Sequence, residues 1–300
     1  MKGQTLCPRS WELLLVDNAS SEPLADVWDL GWHPGGRHVH EEELGLTPAR
    51  LRAIREARAS LLVFVDDDNV LARDYLEQAL AIAGRCGHVG VFGAGKLVPA
   101  FETAPTRDLA FVSHVLALRT VTSERWSNHV GHVEAFPWGA GLCARQHVAL
   151  KFVELVHRLN VNGILGRRGT QLSSGEDDLF SWASVAGGQG FGVFPQLQVT
   201  HLIPAERVGD AYVLRWLRSH ACSHGVLGYL LTGVRPSRLT AVEGVRMLFH
   251  AMRDGPFAMR CHVAQVQGRR DAVAFITDNR LEPLTAPYRL ERAVPLPPGL

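Results

Sequence analysis

The sequence lacks three features that would quickly assign a class of protein: paired cysteines, an excess of one charge, and a long hydrophobic run. Its five cysteines are odd in number and show no CxxC spacing, which argues against a disulfide framework or a zinc site and favours reduced core residues. The 31 Lys and Arg residues balance 30 Asp and Glu residues, so the bulk charge gives no reason to expect nucleic acid as a partner.

Apolar segments are also short. Residues 1–9 have no hydrophobic centre of the kind that a signal peptide needs, and the run 225–234 is far below the roughly 20 residues of a membrane span. We therefore expect a soluble, cytoplasmic protein, for which peripheral contact with the inner face of a membrane stays open through its C-terminal helices.

Strand and helix signals alternate over the first two-thirds of the chain. Apolar runs predict strands at 12–16, 61–65 and 88–92, while apolar residues at helical spacing predict helices at 47–59 and 73–85. This alternation is typical of an α/β fold whose sheet is mostly parallel and flanked by helices.

After Pro204 the pattern becomes helical, and from about residue 282 it becomes rich in proline. Three segments have helical character: 209–232, 237–254 and 257–275. We expect three parts: an α/β domain over 1–205, a helical extension over 206–281, and a flexible tail over 282–300.

The segment LLVFVDDDN (61–69) places three carboxylates, Asp66, Asp67 and Asp68, directly after a strand that belongs in the core. Ligands of open α/β sheets gather at the carboxyl ends of strands, and alternate carboxylates on an extended chain share one side. Hard oxygen ligands of this kind suit Mg²⁺ or Mn²⁺. A solvated turn with a helix cap is an equally good interpretation of this motif alone.

A second acidic segment, SSGEDD (173–178), opens a predicted helix that Ser174 can cap. Glu176 and Asp177 then lie in the first turn, where the helix dipole favours the ionised carboxylate that a general base needs. Taken alone, the segment is better explained by a well-capped helix with acidic residues in its first turn and no chemical role.

The ordered set of motifs resembles the family 2 glycosyltransferases, which have the GT-A fold. The matching segments are ELLLVDNASSE (12–22), GLTPARLRAIREARASLLVFVDDDN (45–69), FPWGAGLCAR (136–145), SSGEDD (173–178) and GVFPQLQVTHLIPAERV (192–208). The resemblance implies that a nucleotide sugar, with UDP as the expected nucleotide, donates its sugar to a hydroxyl with inversion. The acceptor would be a glycan, a lipid-linked molecule or another hydroxyl compound, and the setting would be polysaccharide biosynthesis.

The resemblance also implies roles for individual residues. Asp17 and Arg50 would bind near the nucleotide base, Asp67 would touch the ribose, and Asp66 would belong to the Asp-x-Asp motif. Asp68 would bind the Mn²⁺ or Mg²⁺ that bridges the sugar diphosphate, with His201 as a further ligand of the metal or diphosphate.

The remaining implied roles concern the sugar and the acceptor. Gly139 and Gly141 would let the backbone approach the donor sugar, and Trp138 would form an apolar wall on the acceptor side. Asp177 would deprotonate the acceptor hydroxyl, with Glu176 as the second candidate for this base.

Two departures from the family pattern shape the alternatives. Family members place an apolar strand, a turn and a helix before the segment that matches 12–22, so we expect this chain to lack the first central strand. A truncated protein that binds nucleotide or glycan without turnover is therefore a second hypothesis. Tyr212 replaces the Gln of the Gln-x-x-Arg-Trp motif found in processive members, which favours a single, non-processive transfer.

A third hypothesis is a phosphatase of the haloacid dehalogenase type. The segment FVDDDNV fits the motif of that class, with Asp66 as nucleophile, and SSGEDD resembles its late acidic pair. That pair should follow an apolar strand, however, whereas residues 165–175 are polar and basic.

Overall fold

Helices and strands alternate through the first two-thirds of the computed structural model, which describes residues 1–160, 165–169, 171–236 and 255–284. The helix predicted at 237–254 and the last 16 residues of the predicted tail, 285–300, lie outside the described residues. Two compact units are present. The first contains Met1–Ala100, Ala117–Gly169 and Glu176–Ile203. The second contains Phe101–Leu116, Thr170–Gly175 and the chain from Pro204 onward.

The first unit begins with a small parallel sheet. Strand β1 (Leu13–Asn18) pairs with β2 (Gly36–Glu41) in a register that sets Asp17 opposite His40. A short helix, α1 (Leu24–Val27), lies between these strands in the chain, and α2 (Leu46–Glu56) packs against both of them. Because β1 and β2 form a sheet of their own, the strand that carries Asp17 is not in the same sheet as the one that precedes Asp66.

The larger sheet has seven strands. Five of them follow the order β3 (Leu61–Val63), β8 (Cys143–Arg145), β5 (Val89–Phe101), β9 (Gly190–Ile203) and β4 (Asn69–Leu71). The other two lie beside this path: β6 (Arg119–Thr120) pairs with β5, and β7 (Arg125–Ser127) pairs with β9. The helices of this unit are α2, α3 (Tyr75–Arg85), α5 (Gln146–Leu159) and α6 (Glu176–Ala186), together with the short α1.

The predicted α/β class, with a central sheet, flanking helices and a helical C-terminal region, is confirmed, but the expected parallel pairing needs correction. The pairs described with β3, β8 and β4 are antiparallel, for example Leu62 with Ala144 and Asn69 with His201. The strands β3 and β5 run in the same direction, yet β8 lies between them and is antiparallel to both. A strand that enters from about 50 residues further along the chain cannot be anticipated from local alternation.

Helix α3 supplies one side of the core. Tyr75, Ala79 and Ile82 follow one another at helical spacing and are fully buried against Phe92 and Phe194 of the sheet. Leu80 is also apolar but lies on the outer face and is 46% exposed, so the inward position that its spacing suggests is wrong. Each fully buried aromatic or aliphatic side chain here contributes roughly 1.5–3 kcal/mol to folding.

Among the described residues, the second unit contains two long helices, α7 (Asp210–Thr232) and α8 (Pro256–Asp278), and the short α4 (Leu109–Val112). Glycine allows α7 and α8 to approach closely, because a Cβ on Gly268 would overlap the carbonyl oxygen of Arg218. Helix α7 ends at Gly233, whose φ of 75° closes the last turn through an N–H bond to the carbonyl of Tyr229. In the described part of the chain, every helix falls short of the length and apolarity needed to cross a membrane.

Candidate active site

The acidic run Asp66–Asp68 lies where β3 leaves the sheet. Leu62 and Phe64 are buried, and the N–H of Phe64 bonds to the carbonyl of Leu142 at 2.8 Å. Hydrogen bonding to the neighbouring segment therefore continues past Val63, almost to Asp66. The chain then turns, and the N–H of Asn69 bonds to the carbonyl of Asp66 at 3.0 Å. Asp67 and Asp68 are the central residues of this turn; Asp66 and Asp68 are partly buried, while Asp67 is exposed.

Asp68 and His201, the two residues predicted to bind metal, lie side by side. Their nearest side-chain atoms, Oδ2 and Nε2, are 3.4 Å apart, and His201 is buried. The antiparallel pairing of β4 with β9 produces this contact, since Asn69 is opposite His201 and the N–H of Leu202 bonds to the carbonyl of Asp68 at 2.8 Å. Asn69 Nδ2 also donates to Asp68 Oδ1, which fixes the carboxylate.

These two side chains fit a divalent cation that is completed by other ligands. No cluster of three or more His, Cys, Asp and Glu side chains suited to a metal occurs in the described ranges. Mg²⁺ and Mn²⁺ bound to nucleotides commonly take one or two protein ligands and fill the rest of their shell with water and phosphate oxygens. A carboxylate and an imidazole nitrogen 3.4 Å apart suit that arrangement.

Arg50 joins the two acidic motifs of the sequence. Its Nη2 lies 3.2 Å from Asp66 Oδ1 and its Nη1 lies 3.3 Å from Glu176 Oε1, while its side chain is only 5% exposed. The guanidinium also lies over the ring of Phe64, at 5.6 Å from the centroid. Burial alone would lower the pKa of Arg50, but the charges of Glu176 and Asp66 raise it above its ordinary value.

Glu176 is enclosed. It is 2% exposed; its Oε1 faces Arg50, and its Oε2 lies 3.0 Å from the hydroxyl of Thr47. Gly166 completes the enclosure with a φ of 76°, and a Cβ at that position would lie 2.5 Å from Glu176 Oε2. Burial raises the pKa of Glu176, while Arg50 and Thr47 act in the opposite direction. Because it is almost fully buried, this carboxylate is poorly placed to take a proton from a substrate.

Asp177 is more open and is held by backbone donors. Its Oδ2 accepts the N–H of Gly139 at 3.1 Å, and its Oδ1 accepts the N–H of Asp178 at 3.2 Å. The bond from Gly139 attaches the first turn of α6 to the loop that carries Trp138, Gly139 and Gly141.

Both loop glycines are required by close packing. A Cβ on Gly139 would lie 3.0 Å from Arg50 Nη2, so the loop rests directly on the buried guanidinium. Gly141 has a φ of 72°, and a Cβ there would lie 2.6 Å from the hydroxyl of Tyr75. That hydroxyl donates to the carbonyl of Gly141 at 2.5 Å, which fixes the loop to helix α3.

Asp17 has a local role in this structure. It is buried, and its two oxygens accept the N–H groups of Ser20 and Leu24 at 3.1 and 3.0 Å. These bonds, the one to Leu24 first, lower the pKa of Asp17 below its usual value, and they close the turn that leads into α1. Among the described residues, no hydrogen bond or ion pair joins Asp17 directly to Arg50 or Asp66.

A concavity of about 430 Å³ lies beside α1 and contains none of the predicted site residues. Its lining includes Trp28, Leu30, His33 and His38. None of the residues that surround Arg50 lines this concavity.

Sequence patterns missed several residues that the structure brings to the site. Arg119 of β6 stacks on Trp138, Thr47 contacts Glu176, and Asp178 follows Asp177 in the first turn of α6. Burial and the neighbouring Asp177 raise the pKa of Asp178. Asp178 belongs to the segment SSGEDD and could have been found there, whereas Arg119 lies outside every motif, so no sequence pattern gave a reason to select it.

The histidine pair of α7 has a packing role. His220 and His224 are in ring contact with a centroid distance of 3.9 Å, and His220 stacks on Trp216 at 4.3 Å. Ser174 Oγ lies 3.1 Å from His220 Nδ1 and is thus engaged with α7. Tyr212 and Trp216 of the altered Gln-x-x-Arg-Trp motif are both buried, while Arg215 is exposed.

One family model matches the N-terminal part of the chain, which supplies several residues of this site. The model of the family "Glycosyl transferase family 2" matches residues 3–137, which include Asp17, Arg50 and Asp66–Asp68. No protein of curated function matches the chain.

Solved structures give weaker likenesses over nearly the whole chain. The mannosyltransferase PcManGT from Pyrobaculum calidifontis, in complex with GDP-Man and Mn²⁺, is 20% identical with a TM-score of 0.49, covering 96% of this chain and 75% of that one. S. aureus TarS 1–349 is 14% identical with a TM-score of 0.42, covering 93% and 85%. GalNAc-T7 with UDP, GalNAc and Mn²⁺ is 12% identical with a TM-score of 0.43, covering 92% and 53%.

The late acidic pair of a haloacid dehalogenase should follow a strand, but here Glu176 and Asp177 open helix α6 and are joined to Arg50 and Gly139. The family match covers the Asp-x-Asp motif and the helix that bears Arg50. Residues 3–137, somewhat less than half of the chain, thus match the model of glycosyl transferase family 2.

Proposed function

We propose that this glycosyltransferase moves a sugar from a nucleotide sugar, with UDP as the first nucleotide to test, to an acceptor hydroxyl in a single metal-dependent displacement. One observation carries the proposal. The buried Arg50 is paired with both Asp66 and Glu176, so the metal motif and the first turn of α6, which also carries the candidate base Asp177, belong to one cluster. Reaction at an anomeric carbon needs both elements: neutralisation of the leaving diphosphate and activation of the attacking hydroxyl.

The donor half of the site is assigned as follows. Asp68 and His201 would hold Mn²⁺ or Mg²⁺, and this ion supplies the positive charge that stabilises the leaving diphosphate. Asp66 is fixed in place by Arg50, and the exposed Asp67 is free to meet the ribose. Gly139 and Gly141 would let the backbone of their loop approach the donor sugar. Asp17 would border the nucleotide through the turn that it closes after β1.

The acceptor half rests on Asp177 and Trp138. Asp177 keeps lone pairs on both oxygens beyond the single N–H bond that each accepts, so it can take the proton of an acceptor hydroxyl. Glu176 serves to hold Arg50, since it is buried against this guanidinium and Thr47. A single base and one displacement give inversion at the anomeric carbon. Trp138 supplies an apolar face for a sugar ring.

The finer attributes belong to the same proposal. The transfer is non-processive, which is supported by the burial of Tyr212 and Trp216 in α7. A cytoplasmic location is supported by the five free cysteines. The acceptor is a glycan, a lipid-linked molecule or another hydroxyl compound of polysaccharide biosynthesis, and the C-terminal helices are the candidate surface for peripheral membrane contact.

The test is a donor screen with UDP- and GDP-linked sugars, with and without Mn²⁺, in which release of the nucleoside diphosphate is measured. We expect release for at least one donor, dependent on metal, and its loss in Asp68→Ala. The matched control is Asp271→Asn, which removes a carboxylate that is paired with Arg218 on the exposed surface of α8. Activity that is equal in Asp68→Ala and the wild type would refute the proposed metal site.

A binding protein without turnover is the second candidate. It is favoured by one observation: the strand that bears Asp17 and the strand that precedes Asp66 lie in separate sheets. Calorimetric binding of UDP with Mn²⁺, together with no release of product from any donor in the screen, would support this candidate over the enzyme.

A further inference from the structure

Arg119 is a half-buried cation without a matching anion. Its Nη1 donates to the carbonyl of Phe136 at 2.7 Å, and its guanidinium carbon lies 3.7 Å from the ring centroid of Trp138. Within the described ranges, no carboxylate lies within ion-pair distance of it, and its Nε and Nη2 make no hydrogen bond. A guanidinium has five N–H donors, so most of its donor capacity is unused.

Other arginines of the first unit show what a structural role looks like. Arg50 is paired with two carboxylates, and Arg145 donates to the carbonyls of Val89, Ala83 and Cys86 at 2.9, 2.6 and 3.2 Å. In both cases the fork of the guanidinium is occupied by the protein itself. Arg119 is also held by the protein, since one edge of its guanidinium bonds to the carbonyl of Phe136 and one face lies on the indole of Trp138. The other edge of its guanidinium makes no hydrogen bond to the described residues.

The electrostatic surroundings make this arrangement unfavourable for folding alone. Burial lowers the pKa of Arg119 to about 10, and the charge of Arg125 acts in the same direction. The carboxylate of Asp177 opposes this effect through space. A cation kept in such a place, with its fork free, is suited to a ligand that brings negative charge.

We infer that Arg119, fixed on the face of Trp138, binds a phosphate group of the ligand that enters beside Asp177. The geometry fits this anion, because the planar fork of arginine binds phosphate oxygens through two parallel N–H bonds. Trp138 precedes Gly139, whose N–H holds the candidate base, so the phosphate subsite adjoins the reacting hydroxyl. The identity of the ligand rests on the proposed function, and the phosphate has two possible sources: the donor diphosphate or a phosphorylated acceptor.

The test compares the full-length wild type with Arg119→Gln, Arg119→Lys and Arg125→Gln. Arg125 is the matched control, because it is an exposed arginine on β7, the next strand along the chain, and its loss removes the same charge. Calorimetry measures the binding of UDP with Mn²⁺ and of inorganic phosphate with Mg²⁺. We expect Arg119→Gln to weaken at least one of these by about tenfold or more, the size of one charged hydrogen bond. Arg125→Gln should change both by less than about threefold on the same scale.

The source of the phosphate follows from competition. If UDP with Mn²⁺ displaces inorganic phosphate from the wild type, Arg119 holds the donor diphosphate. If phosphate still binds to the UDP-saturated protein and this binding needs Arg119, the subsite receives a phosphorylated acceptor. Arg119→Lys keeps the positive charge but loses the planar guanidinium, so its affinity for the phosphate probe should lie between those of the wild type and Arg119→Gln. If Arg119→Gln does not fold, the comparison of Arg119→Lys with the wild type provides the test.

Equal affinity of the wild type and Arg119→Gln for both probes would overturn the inference, and so would a wild type that binds neither. The proposed function fails in a different way, when no sugar nucleotide is turned over by a wild type that still binds phosphate through Arg119. The two failures are therefore distinguishable in one set of proteins.

Discussion

The guanidinium of Arg50 lies 3.3 Å from the carboxylate of Glu176, although 126 residues separate them in the sequence. The same guanidinium contacts Asp66, so helix α2, the end of β3 and the first turn of α6 meet at one buried cation. Gly139 packs on this cation and bonds to Asp177. The catalytic geometry that we propose therefore depends on an ion pair that itself need not contact substrate.

Removal of Arg50 should destabilise the protein strongly. In Arg50→Met, Glu176 would remain buried without its cation, and breaking a buried pair on one side typically costs about 3–5 kcal/mol. The free energy of unfolding from urea titration measures this cost. Arg52→Gln on the exposed face of the same helix is the control and should change the value by less than about 1 kcal/mol.

A double variant separates the charge effect from lost packing. Arg50→Met with Glu176→Gln removes the buried, unpaired charge of Glu176, and the other partner, Asp66, has a side chain that is 32% exposed to solvent. The double variant should therefore recover a substantial part of the stability that Arg50→Met loses. If the double variant is as unstable as the sum of the two single variants, Arg50 and Glu176 are not energetically coupled.

Gly141 and Gly84 should respond to alanine with opposite signs. Gly141 has a φ of 72° and no room for a Cβ beside the Tyr75 hydroxyl, so Gly141→Ala should cost at least about 1–2 kcal/mol. Gly84 lies in α3, where a Cβ would have nothing within 4 Å, and Gly84→Ala should gain about 0.5–1 kcal/mol. Thermal unfolding of both variants gives the comparison. Stabilisation by Gly141→Ala would contradict the described loop.

Stability should fall on mild acidification because of His220. Burial, followed by the neighbouring His224 and His114, lowers the pKa of His220 well below 6.5, so the folded state resists a proton that the unfolded chain accepts. Below pH 6.5 the unfolded state binds more protons, and stability drops by up to about 1.4 kcal/mol per pH unit until the folded pKa is reached.

The comparison of two variants isolates this effect. Urea unfolding at about pH 7.5 and 5.5, on either side of the ordinary histidine pKa, should show a smaller pH-dependent loss for His220→Gln than for the wild type. His157→Gln, which replaces an exposed histidine of α5, should keep the loss of the wild type. An unchanged pH dependence in His220→Gln would show that His220 does not cause the acid sensitivity.

Much of the fold could be predicted from local patterns. The apolar run before Asp66 and the helical spacing of Leu51 and Ile54 indicated β3 and α2, because burial imposes these periods on the sequence. The insertion of β8 between β3 and β5 could not be predicted, since strand order depends on contacts between distant segments.

For the site, the motifs indicated which residues to consider, but not their partners. Asp68 and His201 were both expected near a metal, and the register of β4 with β9 places them together. The engagement of Glu176 with Arg50 and Thr47, and the open fork of Arg119, depend on three-dimensional packing that leaves no periodic trace in the sequence.

The pairing of Asp68 with His201 predicts how metal binding responds to substitution. His201→Gln should weaken the binding of Mn²⁺ in the presence of UDP by roughly tenfold or more, because one of two protein ligands loses its imidazole nitrogen. Electron paramagnetic resonance of Mn²⁺ measures the free ion directly. The control is His129→Gln, since His129 lies outside β4 and β9, and equal Mn²⁺ affinity in His201→Gln would remove His201 from the metal site.

Asp177→Asn should separate catalysis from binding. The amide keeps the size of the carboxylate and an oxygen that can accept the N–H of Gly139, so the loop should stay in place while the base is lost. General base catalysis contributes about 10²–10⁴-fold, so kcat should fall by that factor while the affinity for UDP with Mn²⁺ changes little. Glu176→Gln should instead lower stability, because its carboxylate balances the charge of Arg50. A loss of UDP affinity in Asp177→Asn with kcat preserved would make Asp177 a donor ligand and leave the acceptor without the base that we propose.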